Sequence, residues 1–262
     1  MQKDFQAITY LTVLRVALKV QAVLFDLFDT LLIIEGGNAC YLPCLTKLYG
    51  FLVENGVTVS FEEFKRAYFE VRDNLYIETS RSFEEPHFRV RVWQTLKRLG
   101  YNCNPTDPVV VEATDAFAEE FSNFVKVDKE ATTALKELYG KYKLGIVSNF
   151  ALPECARRLL EKFQLKEFFD TIIISAEINK RKPSPEIFQK ALTAIGTEPS
   201  KTVFVGDTPD IDIEGAKKVG MKTILIARET SATDWHAQPF RKVEPDKIIT
   251  SLKELPKIIE DC

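Results

Sequence analysis

The stretch that decides the fold is Val20-Gln21-Ala22-Val23-Leu24-Phe25-Asp26-Leu27-Phe28-Asp29-Thr30-Leu31. Val20 to Phe25 is apolar and rich in β-branched side chains, which predicts a strand buried on both faces, as in parallel sheets. Asp26 then places a carboxylate directly after the strand. In open α/β sheets ligands bind beyond the carboxyl ends of the strands. Polar residues that follow a strand are therefore the first candidates for chemistry.

Downstream, the character changes between about Glu35 and Val127. Phe61, Phe64, Tyr68 and Phe69, and then Val92, Trp93, Leu96 and Leu99, recur at helix spacing. Gly100 supplies a stop and Asn104 to Pro108 a turn. After Val127 helices and strands alternate. Asp128 can cap a helix with Ala131, Ala134, Leu135 and Leu138 on one face, closed by Gly140. Leu144 to Val147, Thr171 to Ile174, Thr202 to Val205 and Thr223 to Ile226 read as strands. Ser184-Pro185 opens a helix with proline at its first position, and Gly196 ends it. Repeated strand–helix–strand units imply a parallel sheet with right-handed crossovers. The expected architecture is α/β: a doubly wound parallel sheet formed by residues 1–34 and 128–262, with residues 35–127 inserted as a helical cap domain.

With 262 residues, the chain is long enough to bury a core without disulfide or metal staples. A net charge of −3 gives no basic face for nucleic acid. Ile8 to Phe25 is apolar-rich, but Arg15 and Lys19 interrupt it, and a membrane span needs about 20 mostly uncharged residues. No small-residue cleavage site follows. The expectation is a short amphipathic extension, with a natural start near Leu18 as the alternative. The five cysteines, Cys40, Cys44, Cys103, Cys155 and Cys262, form no metal-binding pattern, and their odd number favours reduced thiols and a cytoplasmic protein.

Four strand ends carry distinctive residues: Asp26 to Leu31; Val147-Ser148-Asn149; Arg181-Lys182-Pro183-Ser184-Pro185 after a loop; and Val205-Gly206-Asp207-Thr208-Pro209-Asp210-Ile211-Asp212. Physically these suit an oxyanion held with a divalent cation. Asp26 can act as nucleophile, and Asp207 and Asp212 can hold Mg²⁺ with it, since that ion takes a few carboxylates plus substrate oxygens and water. Lys182, Ser148 and Asn149 can hold phosphate oxygens. Phosphoryl transfer needs this combination of positioning and charge neutralisation. Taken singly, each segment has a plainer reading as a turn, a helix cap or a solvated loop lysine.

The four segments in this order resemble the haloacid dehalogenase superfamily, in the branch whose helical cap is inserted between the first and second motifs. The resemblance runs from about Val20 onward. It implies that Asp26 forms an aspartyl-phosphate, that Thr30 and Ser148 bind the transferring group with Asn149 beside them, and that Lys182 neutralises charge. It further implies that Asp207 and the Phe28 carbonyl hold Mg²⁺ with Asp26, and that Asp212 supports the metal or the lysine. The implied activity is a Mg²⁺-dependent phosphatase acting on a small phosphorylated metabolite, as monomer or homodimer, without membrane or nucleic-acid partners.

Phe28 departs from the pattern, because family phosphatases place an aspartate there as general acid and base, a contribution of roughly 10²–10⁴-fold. Asp29 is adjacent, and reads as a turn residue standing where glycine is usual. Family dehalogenases carry an aromatic at the position of Phe28. They also resemble one another in an arginine early in the cap, where this chain has only Lys47 between Asp26 and Lys65. They have a tyrosine where Phe188 stands, and a serine–asparagine pair in place of Gly206-Asp207. A phosphonatase would need Lys47 or Lys65 as a Schiff-base amine. A weakly catalytic binding protein is the remaining alternative.

Within the insert, Arg81, His87, Arg89 and Arg91 form a basic run with Phe83 and Phe88. It reads as a solvated helix end, or as a grip on an anionic substrate. Tyr68 and Trp93 read as core. Trp235 and His236 lie in a loop that can border the site, and Cys40 with Cys44 reads as a buried pair.

Overall fold

A computed structural model of the chain describes residues 20–228 and 243–261. The readings of the N-terminal extension, of Trp235 and His236, and of Cys262 lie outside these residues. Six parallel strands form the sheet. The first, β1 (Ala22–Phe25), alternates its side chains between the two faces as strand geometry requires. Val23 and Phe25 join one hydrophobic core, and Ala22 and Leu24 join the other.

The chain leaves β1 through a loop into β2 (Leu32–Ile34), then runs through four helices: α1 (Tyr41–Glu54), α2 (Phe61–Thr79), α3 (Phe88–Arg98) and α4 (Pro108–Asn123). It returns through β3 (Val125–Val127), which pairs antiparallel with β2, Ile34 opposite Val125 and Leu32 opposite Val127. The sequence reading has no strand in this ribbon, since three residues carry too little alternation to register. The helices follow the expected stripes: Phe64, Tyr68, Val92 and Leu96 are buried. Ser60 caps α2 through the Glu63 N–H. Asp107 precedes Pro108 at the start of α4.

The alternation then resumes with α5 (Ala131–Leu138), β4 (Lys143–Ser148), α6 (Pro153–Lys162), β5 (Thr171–Ile174), the single turn α7 (Ser175–Ile178), α8 (Pro185–Ile195), β6 (Thr202–Gly206), α9 (Glu214–Lys218) and β7 (Lys222–Ile226). A further strand, β8 (Lys247–Ile249), and α10 (Leu255–Glu260) complete the described chain. The sheet order is β5-β4-β1-β6-β7-β8. β1 thus sits centrally between β4 and β6, and the loops after these three strands are neighbours. Gly196 ends α8 in the left-handed conformation, as its sequence position suggests.

Of the two cores, one lies under α8 and α9 and is closed by Phe188, Phe204 and Met221. The other runs from the opposite face of the sheet without a break into the four inserted helices, through Leu27, Leu31, Cys44, Phe117 and Phe121. Cys40, Cys44, Cys103 and Cys155 are free thiols. Among the described residues no helix is long and apolar enough to cross a membrane.

Candidate active site

Asp26 takes the first position after β1, its N–H bonded to the Val205 carbonyl of the neighbouring strand. Its carboxylate accepts from the Lys182 ammonium, which also contacts Asp212 Oδ1 at 2.7 Å. All three are withdrawn from water, with relative exposures of 7% for Asp26, 2% for Lys182 and 1% for Asp212. Oxygens of Asp26, Asp207 and Asp212 lie within 4.8 Å of one another. Residues distant in sequence thus meet at the carboxyl edge of the sheet.

Each member is held by local geometry. The Asp212 carboxylate accepts the Thr208 N–H at 3.0 Å, closing the turn after β6. It lies across Gly206, where a Cβ would stand 2.4 Å from Asp212 Oδ2, so only glycine fits there. Asp207 accepts from Thr30 Oγ at 3.2 Å and from Thr208 Oγ at 3.3 Å. Asn149 brackets the Lys182 backbone, accepting its N–H at 2.7 Å and donating to its carbonyl at 3.0 Å. The amide is thereby engaged with the main chain that presents the lysine. Ser148 is buried at the end of β4.

Crowding acidic groups away from water shifts their titration. Burial pushes Asp26 up to about 7, with Asp212 adding to the rise and the Lys182 ammonium opposing it. Asp207 is raised well above the usual carboxylate range by burial and by Asp212 and Asp26. Burial alone lowers the Lys182 ammonium, but Asp212 and Asp26 outweigh it and hold the group at about 12. One permanent cation therefore faces three carboxyls that cannot all ionise comfortably. Hard oxygen donors with an excess of negative charge suit a divalent cation such as Mg²⁺. The Phe28 carbonyl is also open: Leu27 O accepts from Leu31 and Leu32, whereas Phe28 O accepts no hydrogen bond among the described residues. The residues present fit the ion.

The Phe28 ring leans on Phe150 at 4.5 Å and Phe121 at 5.7 Å between centroids. Asp29 has φ 58°, the left-handed conformation of a turn residue. Its carboxylate accepts the Ile34 N–H at 3.2 Å, which commits it to the loop.

Two arginines shape the surroundings of the site: Arg181, from the loop segment singled out in the sequence, and Arg228, which lies outside all four segments. Arg228, just after β7, donates to the carbonyls of Asp29 and Thr30 at 2.6 Å each and pairs with Asp128 at 2.9 Å. It clamps the first loop to the point where the chain returns from the insert. Arg181 donates to Thr79 Oγ at 3.1 Å and to the Glu84 carbonyl, and stacks over Tyr76 at 5.3 Å. Its own N–H meets the Phe83 carbonyl at 2.8 Å, and Lys180 reaches Ser82 O at 2.9 Å. The basic run between residues 81 and 91 divides. Arg81 is exposed, and His87 pairs with Glu154 at 2.9 Å. Arg91 turns inward between two tyrosines and is not part of a solvated helix end.

A parallel α/β sheet with an acidic cluster at its carboxyl edge and a helical insertion after β1 defines a class of hydrolytic enzymes. The sequence profile of the family described as haloacid dehalogenase-like hydrolase matches residues 61–226, more than half of the chain. This protein belongs to that family, and is a hydrolase. It is 27% identical over 244 residues to a glyceraldehyde 3-phosphate phosphatase of Methanopyrus kandleri, covering 91% of this chain and 99% of that one. A 2-haloacid dehalogenase from Pseudomonas syringae pv. Tomato superposes with a TM-score of 0.70 at 24% identity, over 92% of this chain and 99% of the other. A phosphatase from Thermococcus onnurineus gives 0.60 at 24% identity, over 92% and 98%. At that identity both structures speak to the fold alone.

Proposed function

We propose that the protein is a Mg²⁺-dependent phosphatase acting on a small phosphorylated metabolite. The observation that carries this reading is the buried cluster of Asp26, Asp207 and Asp212 around a single lysine. A halide-displacing site gains nothing from three crowded carboxyls, whereas a phosphoryl group and its cation neutralise them. The phosphatase relative in Methanopyrus agrees with it across nearly the whole chain. A second reading, 2-haloacid dehalogenation with Asp26 as nucleophile, is favoured by one feature, the aromatic Phe28.

In the proposed reaction an Asp26 oxygen attacks phosphorus in line, the P–O bond to the leaving group breaks, and an aspartyl-phosphate forms. Water then cleaves it and restores the carboxylate. Asp26, Asp207 and the Phe28 carbonyl would hold Mg²⁺, with Asp212 in support, and the ion supplies charge neutralisation for the phosphoryl oxygens. Lys182 keeps its proton throughout and balances charge on the nucleophile and the phosphoryl group. Ser148 and Thr30 offer hydroxyls to that group, and Asn149 holds the Lys182 backbone in register. Residues 35–127 act as a cap over the parallel sheet and its helices; the contacts from Arg181 to Thr79 and Glu84 hold it against the site. Enclosure excludes water and selects the substrate. With Phe28 offering no acid, leaving groups that depart without a proton, such as phenolates, react fastest.

The test is hydrolysis of an activated aryl phosphate, with Mg²⁺ and with chelator, beside Asp26→Asn. Release that requires both the ion and Asp26 is the expected result. Folded protein that releases no phosphate with Mg²⁺ present, but frees halide from 2-haloacids, overturns the reading in favour of the second.

A further inference from the structure

The last turn of α2, Tyr76 to Thr79, holds Glu78 and no cation. A helix C-terminus presents carbonyls without intrahelical partners and the negative end of the peptide dipoles, so cations are favoured there. Here two cations come from another part of the chain, the segment Lys180-Arg181 that leads into Lys182. Arg181 donates to the Thr79 carbonyl at 3.3 Å and to the Thr79 hydroxyl at 3.1 Å, and that hydroxyl donates in turn to Leu75 O at 2.8 Å. Beyond the helix the same guanidinium reaches the Glu84 carbonyl, the Arg181 N–H reaches Phe83 O at 2.8 Å, and Lys180 reaches Ser82 O at 2.9 Å. Phe83 has φ 54°, a left-handed conformation that a bulky side chain disfavours and that surrounding contacts must hold.

The linker between α2 and α3 is fastened again at its far end. The Phe88 N–H donates to Ala151 O at 2.9 Å, and His87 pairs with Glu154. Ala151 follows Asn149 by two residues, and Asn149 brackets the Lys182 main chain. The contacts close a circuit: Lys182 to Asn149, along the chain to Ala151, across to Phe88, back through the linker to Phe83, and across to Arg181. From this circuit Lys182 sends its side chain into the acidic cluster, to Asp26 and Asp212. A lysine stem is flexible, so the place of its ammonium depends on how firmly its main chain is held. Asn149 holds that main chain on one side, and the C-terminus of α2 with its linker holds it on the other, through Arg181.

We propose that Arg181 is a positioning residue for the reaction: by capping α2 of the insert it fixes the main chain from which Lys182 meets the phosphoryl group. This inference rests on the phosphatase reading of the Asp26 site. Arg181 itself touches neither the nucleophile nor the substrate. The hold on α2 and the grip on the oxyanion are then one coupled equilibrium. Such coupling is reciprocal, because a contact that strengthens binding is strengthened by it in the same proportion. An oxyanion at Lys182 therefore tightens the bond from the Arg181 N–H to Phe83.

Calorimetric titration with inorganic phosphate in Mg²⁺, and with Mg²⁺ alone, reads the effect without turnover. Arg181→Met should weaken phosphate about tenfold or more, the scale of one charge-assisted hydrogen bond. Arg181→Lys keeps one donor and should recover part of the loss. Thr79→Val removes an acceptor on the insert. It should weaken phosphate by about threefold, and adding it to Arg181→Met should cost nothing further. Mg²⁺ alone should bind every variant as tightly as the wild type, because the groups that would hold it stand on the loops after β1 and β6. In the wild type, phosphate should slow hydrogen exchange of the Arg181 N–H by about the factor that Arg181→Met loses in affinity. Unchanged phosphate affinity in folded Arg181→Met overturns the assignment, as does an Arg181 N–H whose exchange ignores phosphate. A parallel weakening of Mg²⁺ also overturns it, since that marks a site loosened as a whole. Should Arg181→Met fail to fold, Arg181→Lys and Thr79→Val read the same two affinities. Wild-type protein that binds Mg²⁺ but no phosphate takes down the phosphatase reading, and this assignment with it.

Discussion

Lys182 and Arg91 are both cations turned inward, Lys182 buried and Arg91 half-buried, and their surroundings have opposite character. Lys182 sits among carboxyls that outnumber it, at the rim of a sheet where loops converge. Arg91 sits among phenols and phenyl rings where three helices meet, with no acid paired to it among the described residues. The first place is short of positive charge and the second of negative charge. Ring contacts among Phe28, Phe121, Phe117, Tyr41 and Phe88 belong to the packed core that joins the two neighbourhoods.

The comparison breaks most readily on stability. Lys182→Met leaves Asp26 and Asp212 buried without their cation, and in chelator it should cost about 3–5 kcal/mol in urea denaturation. Arg91→Met leaves two hydroxyls that still bond to each other and should cost about 1 kcal/mol or less. Equal losses would mean that the two cations do the same structural work. Next in size is Phe28→Asp, where the two regions meet. It restores a proton donor and should raise turnover of alkyl phosphates by about 10²-fold, measured as kcat; an unchanged or lower kcat removes the argument about the missing acid. Third, Mg²⁺ at about 100 times its dissociation constant should stabilise the folded protein by about 2.7 kcal/mol, and Asp207→Asn should shrink the rise in Tm. The smallest effect is a null difference: with its phenol raised so far, Tyr68 should not ionise alongside ordinary tyrosines near pH 10. The ultraviolet titration of folded Tyr68→Phe should therefore match that of the wild type in this range, and an absent step in the variant would show a phenolate paired with Arg91.

The acidic end was legible because a sheet fixes where its strand ends go. Asp26, Ser148, Lys182, Asp207 and Asp212 each follow a buried apolar run or a recognisable loop, and parallel order brings such ends together. The five longer strands were readable for the same reason, with limits displaced by a residue or two. β2, β3 and β8 span three residues each and leave no periodicity to read. The basic run that contains Arg91 is visible in the sequence, as a solvated helix end or a grip on an anion, but the partners of Arg91 are hidden by distance: Tyr41 is 27 residues from Tyr68 and 50 from Arg91. Composition gave Arg91 the look of its solvated neighbours, and only the turn of α3 separates it from them. Arg228 was invisible for another reason, since its targets include backbone carbonyls, which have no side-chain signature.

The ribbon of β2 and β3 has a consequence of a different kind. Because Ile34 lies opposite Val125, the chain departs from the sheet domain and rejoins it at a single doorway. Anything folded beyond that doorway can be lengthened, shortened or exchanged while the two jambs stay where they are, since a tight turn bridges paired antiparallel strands equally well. The sheet edge is constrained by the reaction, and the stretch behind the ribbon is free to drift toward new ligands without retuning the nucleophile.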